Sequence, residues 1–284
     1  MRQISKFKVK KVPSSNLKVK SNHKVQSSNL KVQSKESSNL KVQSKLKALL
    51  SSTYFGPIQW YQKLNRYDEC LIERHESFIK QTYRNRMIIP TTNGPLSLTI
   101  PTNHDISLSM KDIRISDHAN WRHVHWNALL SAYGESPFFE YYQDDIRPFY
   151  EKKYEFLFDF NMETTEKMIE LLDIRPKISI TEEYILSEER RVKSEETTFG
   201  GQGESQFDSI ADHKVQSSNL KVQSKEVQSI VDFRDAIRPK KPLPDAEFVP
   251  KRYYQVYGQK HGFLPNMSIL DLLFNEGNEA IFYL

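Results

Sequence analysis

Apolar positions recur along residues 48–284 with two different spacings. KALLSSTYFGP is a short apolar run that breaks at Gly56. It reads as a strand, and Pro57 suits the first turn of a helix over IQWYQKLNRY. ECLIER predicts a second short strand. RMIIP and LSLTIP are apolar runs separated by TTNG, turn chemistry that predicts a hairpin. KDIRIS predicts another strand. SDHANWRHVHWNALLSAYG then changes period: Trp121, Val124, His125, Ala128, Leu129 and Ala132 fall on one helical face. Ser116 or Asp117 can cap that helix and Gly134 can end it. SPFFEYYQDDIRPFYEKKYEFLFDF continues as aromatic-rich helix interrupted before Pro148, and NMETTEKMIELLDI is a helix with Thr165, Met168, Ile169 and Leu172 in one stripe. KISITEEY predicts a strand, DFRDAIRPKKPLPDAEFVP an extended Pro-rich stretch, and SILDLLFNEG a last short helix. The fold class is α/β (or α+β), one domain. Its N-terminal part is strand-rich with a strand–loop–helix start, and its C-terminal half is helical.

Two regions do not fit this pattern. KVQSSNLKVQSKE runs from Lys24 to Glu36 and again, unchanged, from Lys214 to Glu226. SSNLKV occurs at Ser14, Ser27, Ser37 and Ser217. Stacked repeats keep core positions and let surface positions drift, whereas here the Ser, Gln and Lys positions are identical too. The text reads as a short DNA repeat translated in frame. It holds too little apolar surface to offset its ordering entropy. Residues 1–47 are therefore expected to be a disordered basic tail, and about 187–229 a disordered loop that also holds EERRVKSEE and GGQGES. The folded part is 48–284 without that loop, long enough for one core.

This division changes the charge. Residues 1–47 carry +12 and the whole chain +5, so residues 48–284 carry −7. A mildly acidic folded part argues against nucleic acid as its partner. The single cysteine, Cys70, excludes an internal disulfide and lies in an apolar strand, where a buried, inert thiol is expected. No apolar run approaches the roughly 20 residues that span a bilayer, and the lysine-rich start has no apolar core of a secretory signal. A cytoplasmic location is the expectation. Nothing in the pattern indicates an oligomeric state.

Candidate chemistry follows from residue type and spacing. In YRNR, Arg84 and Arg86 would share one face of a strand and form a fork for phosphate or carboxylate, with Lys80 before them. A salt-bridged edge strand is the competing reading. His123 and His125 lie about 200° apart on a helix and cannot share an ion; no metal-ligand set is read. His125 belongs with the apolar face, as a core histidine. His75, His118 and His123 are the candidates for acid–base work, because imidazole titrates near neutrality. In KDIR, Lys111 alternates with Asp112. YYQVYGQKHGF gathers Tyr257, Gln259, Lys260 and His261, the amide, amine, imidazole and aromatic groups of a sugar or nucleotide site. Ser268-x-x-Asp271 reads as a capping box, so Asp271 is not nominated for catalysis. There is no Walker loop, no dinucleotide-binding glycine motif and no H-E-x-x-H, and the pattern leaves the cofactor unknown.

YFGPIQWYQKL, KQTYRNRMII, KDIRIS, NWRHVHWNALLSAY, PFFEYY and YGQKHGFLPNMSILDLLFNEG resemble the WbqC-like protein family. The resemblance covers nearly all of 48–284 outside the low-complexity loop, and Ser268, Asp271, Asn275 and Gly277 are especially characteristic. It implies a role in O-antigen or other surface-polysaccharide synthesis, with transfer of an amino acid such as glycine onto a sugar. A second resemblance lies in TYFGPIQWYQ, which is similar to the T-F-D-P-I-H-x-G-H loop of nucleotidylyltransferases. Gln59 and Gln62 stand where that loop has histidines, and Tyr61 where it has glycine, so nucleotidyl transfer is put in doubt while Gln59 remains a candidate substrate contact. The expected partner is a small anionic molecule, a sugar nucleotide or an activated amino acid. Arg84, Arg86 and Lys111 would hold its phosphate or carboxylate and a histidine would act as base. The alternative is a non-catalytic module that binds a nucleotide-sugar or a protein.

Overall fold

The structure, a computed structural model, describes residues 46–103, 109–186 and 229–284. Along the chain it contains β1 (Lys47–Ser51), α1 (Ile58–Arg66), β2 (Glu69–Glu73), β3 (Arg86–Thr91), β4 (Gly94–Thr99), β5 (Thr102–Asn103) and β6 (Arg114–Ile115). There follow α2 (Trp121–Tyr133), α3 (Phe139–Ile146), α4 (Pro148–Glu151), α5 (Leu157–Leu171), β7 (Ile178–Ile180), β8 (Ile230–Asp232), α6 (Gly258–His261) and α7 (Ile269–Glu276). Both copies of the thirteen-residue string lie outside the described residues. The expected boundaries move slightly: Lys47 already belongs to β1, and its N–H donates to the Ser229 carbonyl at 3.1 Å.

The α/β architecture is built on a four-stranded parallel sheet in the order β7-β2-β1-β8. Ala48 pairs with Cys70 and Val231, and Leu50 with Ile72. Ala48, Leu50, Cys70 and Ile72 are fully buried and share one face of the sheet. Each large apolar side chain removed from water there contributes about 1.5–3 kcal/mol. The chain runs outward from β1 to β2 and β7, then returns to the other side of β1 with β8. In open parallel sheets ligands bind outside the carboxyl ends of the strands, and that edge carries the charged residues described below.

The predicted hairpin is β3 and β4, paired antiparallel from Arg86↔Thr99 to Thr91↔Gly94. Gly94 closes its turn at φ +99°, a conformation glycine adopts without a Cβ penalty. In α2, Trp121, His125, Leu129 and Ala132 are buried as the pattern predicts, whereas Val124 is 58% exposed. Its N-cap is Asn120, not Ser116 or Asp117, and Gly134 ends it. Pro148 opens α4 after the break. The predicted continuation through 152–156 is instead extended: Ile115 N–H donates to Glu155 O, and α5 starts at Leu157.

Two predicted strands are corrected. KDIRIS splits into a short 3-10 turn (Met110–Asp112) and the two-residue β6, because Met110 N–H and Lys111 N–H are drawn onto the carbonyls of Glu76 and Arg74. In YRNR only Arg86 is strand; Tyr83 and Arg84 lie in a turn in which Asn85 N–H reaches back to Thr82 O. Arg84 and Arg86 therefore do not alternate along one strand.

Candidate functional site

All four parallel strands end in polar groups: Ser51 on β1, Glu73 on β2, Thr181 just after β7 and Asp232 on β8. Glu73 is fully buried. Its Oε1 accepts from Thr181 Oγ1 and from His75 N–H, each at 2.8 Å, and its Oε2 accepts from Ile185 N–H at 2.8 Å. Arg234, beyond β8, donates to the Asp232 carboxylate through Nε and Nη2 and to the Ile185 carbonyl, with Nη1 3.7 Å from Glu73. Buried charge of this kind is tolerated because every ion is paired and hydrogen-bonded.

Residues 74–85 fold back over this edge. Arg84 donates Nε to Glu76 Oε1 at 2.8 Å and Nη2 to Glu76 Oε2 at 2.5 Å, and it also reaches Ser51 Oγ at 2.8 Å. His75, Glu76, Ser77, Ile79, Arg84 and Tyr184 line an open cleft of about 250 Å³. The Tyr184 ring lies 5.2 Å from the Arg234 guanidinium carbon. Arg74 donates Nε to His75 Nε2 at 3.1 Å, which makes Nε2 the acceptor and leaves the imidazole proton on Nδ1.

Of the residues nominated from sequence, this cleft brings together His75 and Arg84. Lys80 is exposed on the turn before Arg84, and Lys111 is exposed with its N–H on the Arg74 carbonyl. Arg86 is directed onto the hairpin, where Nε donates to Thr99 Oγ1. His118 bonds Ser116 Oγ through Nδ1, and His123 bonds the Asn127 side chain on the exposed side of α2. Neither lines the cleft. Lys260 and His261 both contact the Thr92 carbonyl in the β3–β4 turn, Tyr257 donates to Ser131 O, and Gln259 is exposed. That cluster fastens α6 to the hairpin and to α2.

The nucleotide-type loop after β1 is closed by the chain itself. Ile58 N–H donates to Met267 O, and Gln59 N–H to Asn266 Oδ1 at 2.9 Å. Gln59 completes a reciprocal pair by accepting from Asn266 Nδ2, and its own Nε2 donates to Asp245. Ser268 Oγ donates to Phe55 O, and Ile269 N–H to Gly56 O. The amides that would face a phosphate at the start of α1 are taken, and Gln59 is a fastening residue.

Sequence reasoning passed over three other polar groups. Asp271 is fully buried, accepts from the Tyr253 hydroxyl and from Gln255 Nε2 at 2.8 Å, and adjoins Tyr133. Burial pushes its carboxyl up to about 6 against the lowering pull of these hydrogen bonds. Ser268 caps α7 by accepting from Leu270 N–H, but Asp271 does not return the box. Lys63, also fully buried, bonds Asp245 and Glu247 at 3.0 Å. The third group is Arg74. Its clue in the sequence was ER at the end of ECLIER, charge at the carboxyl end of an apolar strand. His125 is the core histidine expected: Nδ1 meets the Tyr54 hydroxyl at 2.9 Å, and burial lowers its pKa to about 4. Burial pushes the Cys70 thiol up to about 12.

The sequence model of the WbqC-like protein family matches residues 51–202, a span that contains every residue lining the cleft. An uncharacterized protein of Mycobacterium tuberculosis, Rv1507c, is 26% identical over 246 residues, covering 84% of this chain and 97% of its own length. No solved structure matches.

Proposed function

Because the chain belongs to the WbqC-like protein family, which is associated with O-antigen biosynthesis genes, we propose that it is a transferase of surface-polysaccharide synthesis that passes an aminoacyl or acyl group to an amino-sugar. The observation that carries this reading is the cleft at the carboxyl edge of the parallel sheet, where His75 and Arg84 face one space. A histidine beside a guanidinium suits a substrate that carries an anionic group and whose amine must lose a proton. The amine nitrogen attacks the acyl carbon of the activated donor and a C–N bond forms. The bond from that carbon to the donor oxygen or sulfur breaks. The amine proton passes to His75 and then to the leaving group. Among the described residues no helix is long and apolar enough to cross a membrane, and the reading places the reaction in the cytoplasm, where activated donors are made.

The test is turnover of an activated glycine donor with a panel of nucleotide-linked amino-sugars, followed by mass spectrometry. Product with the wild type and a loss of about a hundredfold in His75→Gln are expected. No product with any pair, together with binding of one of the sugars, would instead establish the non-catalytic module. The pairing of Arg84 with Glu76 favours that second reading, since it leaves this guanidinium few donors for a substrate.

A further inference from the structure

Among the described residues three arginines reach the carboxyl edge of the sheet, and two are committed. Arg84 is bonded to Glu76, and Arg234 to Asp232. Arg74 differs: among the described residues it pairs with no carboxylate, and its side-chain partner is the neutral His75 imidazole. It is half-buried and does not itself line the cleft, but its Nε lies 3.1 Å from the ring of His75, which does. Its backbone is fixed on both sides, by N–H to Thr181 Oγ1 at 3.3 Å and by its carbonyl to Lys111 N–H at 3.0 Å. A guanidinium held in place with no carboxylate partner among the described residues is the group an incoming anion finds first. The atom it now occupies, His75 Nε2, carries the lone pair a base requires.

We propose that Arg74 is the anion-binding arginine of this cleft, and that a phosphate or carboxylate seated on it draws the guanidinium away from His75 and frees Nε2. The inference rests on the reading of His75 as a base and adds substrate-coupled control to it. Without an anion, Nε2 is blocked by an N–H donor. With the anion bound, the lone pair faces the cleft. The site then deprotonates an amine only when the charged part of the substrate is in place, which limits wasted hydrolysis of the activated donor.

The experiment titrates inorganic phosphate and, separately, acetate into the full chain carrying nitrogen-labelled histidine. The His75 ring resonances are assigned by their loss in His75→Gln. Anion binding is expected to move the His75 Nε2 resonance in the wild type. In Arg74→Gln that resonance should already be displaced without anion, and binding should weaken tenfold or more. Arg147→Gln, an exposed ion pair on another element, should bind like the wild type. Tighter phosphate than acetate indicates a phosphorylated substrate, and the reverse a carboxylate. Anion binding in Arg74→Gln equal to wild type, or an unmoved His75 resonance on binding, overturns the proposal. These readouts need no turnover: anion-coupled displacement without any transfer product would refute the transferase reading alone, and His75-dependent transfer untouched by Arg74→Gln would refute this inference alone.

Discussion

Arg84 and Glu76 hold each other through two parallel hydrogen bonds, Nε–Oε1 at 2.8 Å and Nη2–Oε2 at 2.5 Å, with both side chains almost wholly out of water. The pair fastens the 74–85 fold-back to Ser51 at the end of β1. Removing one partner leaves the other buried and uncompensated. Arg84→Met and Glu76→Leu should each lower stability by about 3–5 kcal/mol in urea unfolding. Arg84→Lys, a mild change for an exposed anion binder, should also destabilise, because an ammonium cannot reproduce the planar two-bond grip. Single variants as stable as the wild type would show that the pair is not structural.

Asp271 gives the molecule a defined pH response. Its folded-state carboxyl sits at about 6, above an ordinary aspartate, because burial outweighs the bonds from Tyr253 and Gln255. The folded state therefore holds a proton more tightly than the unfolded state. The contribution is fully present below about pH 4 and is lost as pH rises through about 6. Asp271→Asn removes this one titration and leaves the others in place. The stability of the wild type relative to that variant should fall by roughly 2 kcal/mol between pH 4 and pH 8. A pH-independent difference would refute the assignment.

Leu129 and Val124 lie on the same helix and were predicted on the same face, yet Leu129 is fully buried and Val124 is 58% exposed. Leu129→Ala should cost about 2–5 kcal/mol through lost burial and the cavity left behind. Val124→Ala should stay within about 0.5 kcal/mol of the wild type. Thermal unfolding of the two variants side by side checks the pair, and equal effects would contradict the placement of α2.

Gly277 ends α7 at φ +57°, and a Cβ there would come within 2.7 Å of the Phe138 ring. Gly277→Ala meets both an unfavourable backbone conformation and an aromatic ring, so a loss of about 2 kcal/mol or more is expected in chemical denaturation. An unchanged midpoint would mean that the ring moves aside freely.

What was legible in the sequence was local. The turn TTNG between two apolar runs is enough to make the β3–β4 hairpin, and the i, i+4, i+8 spacing of Trp121, His125 and Leu129 is enough to bury them together, because both depend on neighbours a few residues away. The strand–turn–helix start at Gly56 and Pro57 is legible for the same reason. The family itself was readable in runs such as YFGPIQWYQKL and YRNRMII. Alternation failed in YRNR, where a turn closed by the Asn85 N–H and the pull of Glu76 on Arg84 outweigh local strand preference. It failed in KDIRIS, where backbone bonds to Arg74 and Glu76 impose a turn. Of the candidate site only His75 and Arg84 were nominated from the sequence: Glu73, Thr181 and Arg234 stand at or just past the ends of strands far apart in the chain, and only the parallel order β7-β2-β1-β8 sets them at one edge. The commitment of Gln59 to Asn266, the pairing of Arg84 and the burial of Asp271 have the same origin. Each is decided by a partner that sequence spacing does not reveal, because burial and charge pairing depend on distance in space.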